Sequence, residues 1–450
     1  MRCVVVGGGI AGVCCAEELC RLRPDYSVTL VSEDRTLKGV TNVVQLSQSV
    51  EEFDVVERDL TTLPQRNLRV VQARAAGLDL DARELRLQGG GGLPYDRLCL
   101  CVGATPRRLA EGPNVLVLRD CDSVASLAAR LNTARQVALV GNGGIALELA
   151  HALRGVEVVW VVRHGQIGDS FFDLDAAEVE GARDEHGERY GHAVGPRWAH
   201  ALPAGGPGGD AGGRLTLERD CEVVRVVYLH TGSGCAQGTP VWPARLDLSN
   251  GRSYSVDLVI SAIGVDARSA WLPLQLERCE DDGGILVDEE LRTSVPGVWA
   301  AGDCCTVRAE AQAPLWFQMR LWTQARQMGL YAAQGLAGGG GMLGAGLTFE
   351  LFSHATRFAG LKVVLLGLYN GQKLDAEPAC DLISYSRATE GDQPTFVRVL
   401  LLRGRMVGAV LVGETELEET FENLILDRLD LSGFGPALLD PDVELDHVFD

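Results

Sequence analysis

The chain has 450 residues, 46% hydrophobic and 23% charged, the make-up of a globular protein with room for two or three cores. Its 41 Lys and Arg stand against 61 Asp and Glu, a net charge of −20. That argues against an extended basic surface for nucleic acid, although a local basic patch stays open. No apolar run reaches the roughly 18 residues of a membrane helix, so no membrane span is expected. The chain starts directly in an apolar run, so no signal or transit segment is expected either.

Met1-Arg2-Cys3-Val4-Val5-Val6 reads as a buried parallel strand. Gly7-Gly8-Gly9-Ile10-Ala11-Gly12 follows as a turn, then a helix through Leu19, then a second strand at Val28-Thr29-Leu30-Val31. This is Gly-x-Gly-x-x-Gly between strand and helix. Gly7 permits the tight turn, Gly9 lets backbone approach a pyrophosphate, and Gly12 lets helix and strand pack closely. The phosphate charge then meets free N–H groups at the helix start, around Ile10 and Ala11. An acid at the end of the second strand would hold the adenosine ribose. Ser32 occupies that place and Glu33 comes one residue later, so the contact is shared between them. Lys38 either reaches the reactive edge of a bound flavin or stands in solvent.

Short strands are expected over 70–100, around a turn at Gly89-Gly90-Gly91-Gly92. Leu98-Cys99-Leu100-Cys101-Val102 leads into a small-residue turn at Gly103-Ala104. The opening pattern then recurs about 134 residues on: strand Gln136-Val137-Ala138-Leu139-Val140, turn Gly141-Asn142-Gly143, helix start Gly144-Ile145-Ala146-Leu147-Glu148, strand 156–162. Ala146 replaces the third glycine. Arg163 closes this unit where an acid would select NAD, and an arginine can accommodate the 2′-phosphate of NADPH.

Segment 181–213 has no apolar period and reads as a surface insertion. Its His186, His192 and His200 match no metal-ligand spacing, and no metal site is expected. Strands resume at 221–229 and Ala244–Leu248. The run Val256 to Gly264 mirrors Tyr95 to Gly103: an acid, an apolar strand, then the turn Ala262-Ile263-Gly264. Val298-Trp299-Ala300-Ala301-Gly302-Asp303 can place a carboxylate on a sugar-alcohol hydroxyl. A helix is expected from Leu315 to about Ala333, its N-terminus favouring negative charge on a reduced cofactor. Beyond a glycine linker at 338–341, strands are expected at 362–368, 395–402 and 406–412, and a helix over 418–429. The tail 439–450 alternates acid with apolar residues. It is either a docked or frayed terminus or a partner-docking peptide presenting Asp440, Asp442, Glu444, Asp446, His447 and Asp450. The thirteen cysteines form no C-x-x-C pair. Cys3, Cys14, Cys15, Cys20, Cys99 and Cys101 lie in apolar elements and read as buried reduced thiols of an intracellular protein.

Taken together, Gly7-x-Gly9-x-x-Gly12, Gly103-Ala104, Gly141-x-Gly143 with Glu148, Ala262-Ile263-Gly264, and Thr293 through Gly302-Asp303 resemble the flavin-dependent pyridine nucleotide–disulphide oxidoreductase superfamily. The resemblance implies an α/β fold of two Rossmann-like dinucleotide-binding domains, the second inserted in the first, plus a smaller α+β C-terminal domain. The implied boundaries are 1–109 with 266–337 for FAD, 110–265 for NAD(P)H, and 342–450. It also implies that Lys38 stands near flavin N5. Disulphide-reducing members carry C-x4-C after the first unit and a C-terminal His-Glu pair. This chain has no cysteine between Cys20 and Cys99 and lacks the pair. Only Cys304-Cys305 offers a thiol pair near the flavin. Leu98-Cys99-Leu100-Cys101, 318–329 and 418–426 resemble a branch associated with the metal-dependent tRNA ligase complex, which it protects from oxidative inactivation. That resemblance implies a protein partner and a place in cytoplasm and nucleus. Three expectations follow: an FAD-dependent NAD(P)H oxidoreductase, an NAD(P)H-gated binding cap with little turnover, or a flavin reductase serving a small electron-transfer protein.

Overall fold

The computed structural model describes residues 1–59, 63, 65–165, 167–168, 215–229, 242–338, 349–358, 361–389 and 394–440. The insertion at 181–213 with its three histidines, and the tail beyond Asp440, lie outside the described residues.

Strand β1 (Arg2–Val6) has four of its five residues buried. An apolar strand covered on both faces belongs in the middle of a parallel sheet, and β1 lies at the centre of one. The order is Val298–Ala300, Arg97–Leu100, β1, β2 (Ser27–Ser32) and Leu68–Gln72, every pair parallel. Helix α1 (Ile10–Leu22) connects β1 to β2 and buries residues round most of its circumference. Such a helix needs cover on both sides. The sheet supplies one side and a later helix the other. A hairpin of β3 (Thr36–Gln45) and β4 (Glu51–Asp59) follows. No strand pair is legible there in the sequence, because Leu37, Phe53 and Val55 are its few buried apolar residues among charged ones.

The second sheet repeats the plan. Helix α2 (Cys121–Leu131) starts in a capping box between Asp120 and Ser123. Strand β5 (Gln136–Val140), helix α3 (Gly144–Ala152) and strand β6 (Glu157–Val161) form the unit. The sheet order is Val115–Leu116, Leu258–Ser261, β5, β6 and Leu215–Glu218, again all parallel. Two antiparallel segments, Ala104–Pro106 and Val265–Ala267, carry the chain between the two sheets. Arg107 ion-pairs with Asp266 across them at 2.7 Å. The α/β class with two parallel sheets, expected from the sequence, is present.

The expected helix from Leu315 is corrected. Residues 315–321 are not helical, and helix α4 spans Trp322–Ala337. Two glutamines account for the late start. Gln318 accepts from the Val307 N–H and donates to the Cys305 carbonyl, both at 2.8 Å. Gln324 accepts from the Met319 N–H at 2.7 Å and donates to the Phe317 carbonyl at 2.9 Å. Gln324 thus satisfies backbone groups that a helix would otherwise pair, and Gln318 ties the segment to the strand Cys305–Val307. Helix α4 covers the open side of α1, where a Cβ on Gly329 would fall on the Ala11 carbonyl.

The third sheet is antiparallel: Ser353–Phe358, Leu361–Gly367, Arg405–Val412, Thr395–Leu402, Leu382–Thr389. Arg403 and Gly404 turn the central hairpin with φ of 50° and 76°, the left-handed pair that a two-residue hairpin turn requires. Helix α5 (Glu418–Asp427) lays Phe421, Leu424 and Ile425 on this sheet. Each such side chain contributes about 1.5–3 kcal/mol on burial. The outer strand Leu382–Thr389 buries no residue fully and gives no apolar alternation in the sequence. Among the described residues no helix is long and apolar enough to cross a membrane.

Candidate cofactor-binding site

Open α/β sheets take ligands in the crevice outside the carboxyl ends of their strands, and each parallel sheet here has a glycine turn at that end, with open space at Gly9 and at Gly143. In the first, Gly7 has φ +125° and faces the Cys101 carbonyl so closely that no Cβ fits. A Cβ on Gly12 would likewise fall on the Gly7 carbonyl. Gly9 differs: a Cβ there meets nothing within 4 Å, so its backbone faces open space. Gly9 is the N-cap of α1, and no side chain caps that helix end. The N–H groups of its first turn, from Ile10 and Ala11 onward, are therefore placed where an anion could meet them. These features fit a dinucleotide pyrophosphate.

Three residues expected here come together. The Lys38 backbone N–H donates to the Gly8 carbonyl at 2.9 Å, which ties β3 to the glycine turn. Its ammonium reaches the Arg119 carbonyl at 3.4 Å and lies 5.9 Å from the Trp322 ring centroid, at the uncapped N-terminus of α4. Gly302 turns with φ +76°, and a Cβ there would come 2.9 Å from Ala11 Cβ, so Asp303 follows directly beside α1. Burial pushes the Asp303 carboxyl up, opposed by the charges of Arg320 and Lys38. Arg320, which sequence reasoning missed as a site residue, donates to the Asp303 carbonyl at 3.0 Å and to Asp282 at 2.7 Å. Thr323, in the first turn of α4, meets buried His354 Nδ1 at 2.9 Å. Burial pulls that imidazole down to about 4, so it is neutral at physiological pH.

Ser32 and Glu33 are placed differently from one another. Ser32 is buried and its hydroxyl donates to the Asp34 carbonyl at 3.2 Å. Glu33 stands at the mouth, 3.2 Å from Arg268 and 3.7 Å from Arg74.

The second crevice repeats the first. Gly141 has φ +134° and lies against the Ala262 carbonyl as Gly7 lies against that of Cys101. Gly143 again faces open space and caps α3 without a side-chain bond. Ile145 is 41% exposed there. Trp160 Nε1 donates to the Gly141 carbonyl at 2.8 Å, and Asn142 accepts from the Gly168 N–H at 2.6 Å. Glu148, on α3, is pushed up to about 7 by burial. Arg163 ion-pairs with Glu222 at 2.7 Å. The Gly103 and Gly264 turns, with φ of 69° and 97°, sit side by side where the chain crosses between the sheets. Arg268 N–H donates to the Gly103 carbonyl at 3.0 Å and Arg107 N–H to that of Gly264 at 2.9 Å. Ala104 pairs with Ala267 in the same crossover.

Three of the four thiols around the first crevice, Cys14, Cys304 and Cys305, are buried, and Cys121 is half-buried. Cys304 donates to the Leu100 carbonyl at 3.2 Å and Cys305 to that of Gly302 at 3.3 Å, both fully buried. Burial pushes Cys304 up to about 12, and Cys305 well above an ordinary thiol. Cys14 and Cys121 are raised by burial to about 11. A thiolate, the reactive form, is disfavoured at all four. Among the described residues no group of His, Cys, Asp and Glu is arranged to hold a metal.

Residues 1–187 and 227–329 match the family described as pyridine nucleotide-disulphide oxidoreductase. The chain is 40% identical over 498 residues to the mouse (Mus musculus) pyridine nucleotide-disulfide oxidoreductase domain-containing protein 1, covering 99% of this chain and 98% of that one. Its fold resembles that in the covalent putidaredoxin reductase–putidaredoxin complex, with a TM-score of 0.69 at 18% identity over 100% of this chain and 98% of that one. It also resembles the water-forming NADH oxidase of Lactobacillus brevis, with a TM-score of 0.70 at 16% identity over 99% and 94% of the two chains.

Proposed function

Because the chain belongs to the pyridine nucleotide-disulphide oxidoreductase family, it is an FAD- and NAD(P)H-dependent oxidoreductase, and we propose that it passes electrons from the flavin to an acceptor with no dithiol relay. The observation that carries this is the state of the thiols. None lies between Cys20 and Cys99, and those around the flavin crevice are held protonated, Cys14, Cys304 and Cys305 buried and Cys121 half-buried.

When bound, the flavin and the nicotinamide supply the redox chemistry. The chain's own residues do the rest. Gly7, Gly9 and Gly12 shape the cradle, and the free N–H groups of α1 hold the pyrophosphate. Glu33 takes the ribose edge at the mouth, with Ser32 turned to its own backbone. Asp303 accepts from a sugar-alcohol hydroxyl, and Arg320 holds its backbone in place. Lys38 brings its ammonium to the reactive edge. The N-terminus of α4 favours negative charge on the ring. Gly141, Gly143 and the start of α3 hold the nicotinamide nucleotide, with Glu148 beside it. The crossover at Gly103 and Gly264 brings the two crevices together.

The acceptor in this reading is a protein. One solved neighbour is a reductase joined to its protein partner, and the resemblance of the sequence points to the tRNA ligase complex. The acidic tail beyond Asp440 supports docking as the mode of contact. The nicotinamide-gated cap is the second reading, favoured by the same lack of a reactive thiol beside the flavin. Anaerobic reductive titration tests the main proposal. Complete bleaching by about two electrons per flavin is expected, and uptake of about four would overturn it by requiring a redox-active dithiol. Reoxidation separates the two readings. Rapid return of oxidised flavin on adding oxygen or the partner fits the enzyme. A long-lived reduced state that alone binds the partner fits the cap.

A further inference from the structure

We propose that Glu222 sets the coenzyme choice of the second crevice and makes this chain selective for NADH over NADPH. This rests on reading that crevice as the nicotinamide-nucleotide site, and it reverses what Arg163 alone suggests.

Arg163 follows β6, where an acid would normally meet the adenosine ribose. Its guanidinium is already met: Nε lies 2.7 Å from Glu222 Oε1. Glu222 comes from the chain just after Leu215–Glu218, the neighbouring parallel strand. Its backbone is pinned at this place. Val162 N–H donates to the Glu218 carbonyl at 2.8 Å, and Cys221 N–H to that of Val162 at 3.4 Å. Glu222 N–H donates to Ser249 Oγ at 3.0 Å, and Ser249 N–H returns to the Glu222 carbonyl at 2.8 Å. The carboxylate is therefore held opposite the strand end from a different part of the chain.

Asp220 stands on the same side, 3.3 Å from where a Cβ on Gly165 would be. Arg252, a further cation here, is taken by Glu218 at 2.7 Å. A 2′-hydroxyl can donate to the Glu222 carboxylate. A 2′-phosphate must instead displace that carboxylate from Arg163 and stay beside both acids. Like charges at that range repel. The Arg163–Glu222 pair is exposed, with 69% and 56% of the side chains accessible. Opening it is therefore easy, and the expected selectivity is modest, about ten-fold.

The test is equilibrium binding, read by calorimetry on the full-length flavoprotein, with ADP-ribose and 2′-phospho-ADP-ribose as probes. Wild type is expected to bind ADP-ribose about ten-fold tighter. Glu222→Gln keeps every backbone contact named above. It is expected to bind ADP-ribose several-fold more weakly and the phosphorylated probe about ten-fold more tightly. Adding Arg163→Ala to Glu222→Gln is expected to erase that gain. An unchanged ratio in Glu222→Gln, or a wild type that prefers the phosphorylated probe, overturns the proposal while the site reading stands. Failure of both probes to bind wild type overturns the site reading itself and the proposal with it.

Discussion

The carbonyl oxygen of Gly7 occupies the place where a methyl group on Gly12 would stand. The two residues bring α1 onto β1 with no room for a side chain. The second unit has Ala146 at the equivalent position, fully buried, so its helix tolerates a methyl. Gly12→Ala is therefore expected to lose flavin and at least about 1–3 kcal/mol of stability. Ala146→Gly is expected to keep flavin. The ratio of flavin to protein absorbance, with a thermal melt, checks both.

Lys38 is the one candidate catalytic side chain beside the first crevice. Its backbone bond to Gly8 does not depend on its side chain. Lys38→Met should fold and bind flavin normally. It is expected to slow flavin reduction at saturating coenzyme about ten-fold, or about 1.4 kcal/mol. Stopped-flow absorbance measures this, and an unchanged rate would leave Lys38 as a solvated lysine.

Glu148 gives a pH signature. Burial raises it from 4.5 to about 7. Between those values the folded state holds a proton that the unfolded state has released. Stability from this group therefore rises as pH falls from about 7 to 4.5, and the buried carboxylate is unfavourable above about 7. Glu148→Gln is expected to melt ~2–4 °C higher than wild type at pH 8 without coenzyme, and at the same temperature at pH 4.5. Equal melting at both pH values would contradict the assignment.

Glu422 ties the antiparallel sheet to the first unit. It is fully buried, and its carboxylate accepts from the Ser49 N–H at 2.9 Å. Ser49 also accepts at its carbonyl from Ser353 Oγ at 2.8 Å. Glu422→Ala leaves that N–H unpaired in the interior and is expected to cost about 1–3 kcal/mol. Glu422→Gln keeps an acceptor and is expected to stay within about 1 kcal/mol of wild type. Thermal denaturation distinguishes them.

The tail can be removed cleanly only beyond Asp440. Leu438 and Leu439 are buried, and the Leu439 carbonyl accepts from Arg387. Deleting 441–450 is expected to leave flavin content and melting unchanged and, on the proposed protein acceptor, to weaken its capture by ten-fold or more. Undiminished capture in a pull-down with purified tRNA ligase complex would remove the tail from the docking surface.

The amino-acid sequence alone determined the two strand–turn–helix units. Their determinants are local: a few glycines at fixed spacing, an apolar strand before and a helix after. The crossover turns at Gly103 and Gly264 and the return of Asp303 were legible for the same reason. Other features depend on groups distant in the chain, and only the tertiary structure decided them. Residues 315–321 stay out of the helix because Gln318 is held by the backbone of Cys305 and Val307, while Gln324 takes the Met319 and Phe317 backbone groups. Lys38 lies beside the first glycine turn because its backbone N–H pairs with the Gly8 carbonyl. Arg163 reads as a free cation until Glu222, 59 positions later, is seen against it. The thiols of Cys304 and Cys305 read as a pair in sequence, yet each donates to a different carbonyl. Spacing along a chain encodes local conformation. Which charge meets which, and which group loses water, is settled only when distant segments pack.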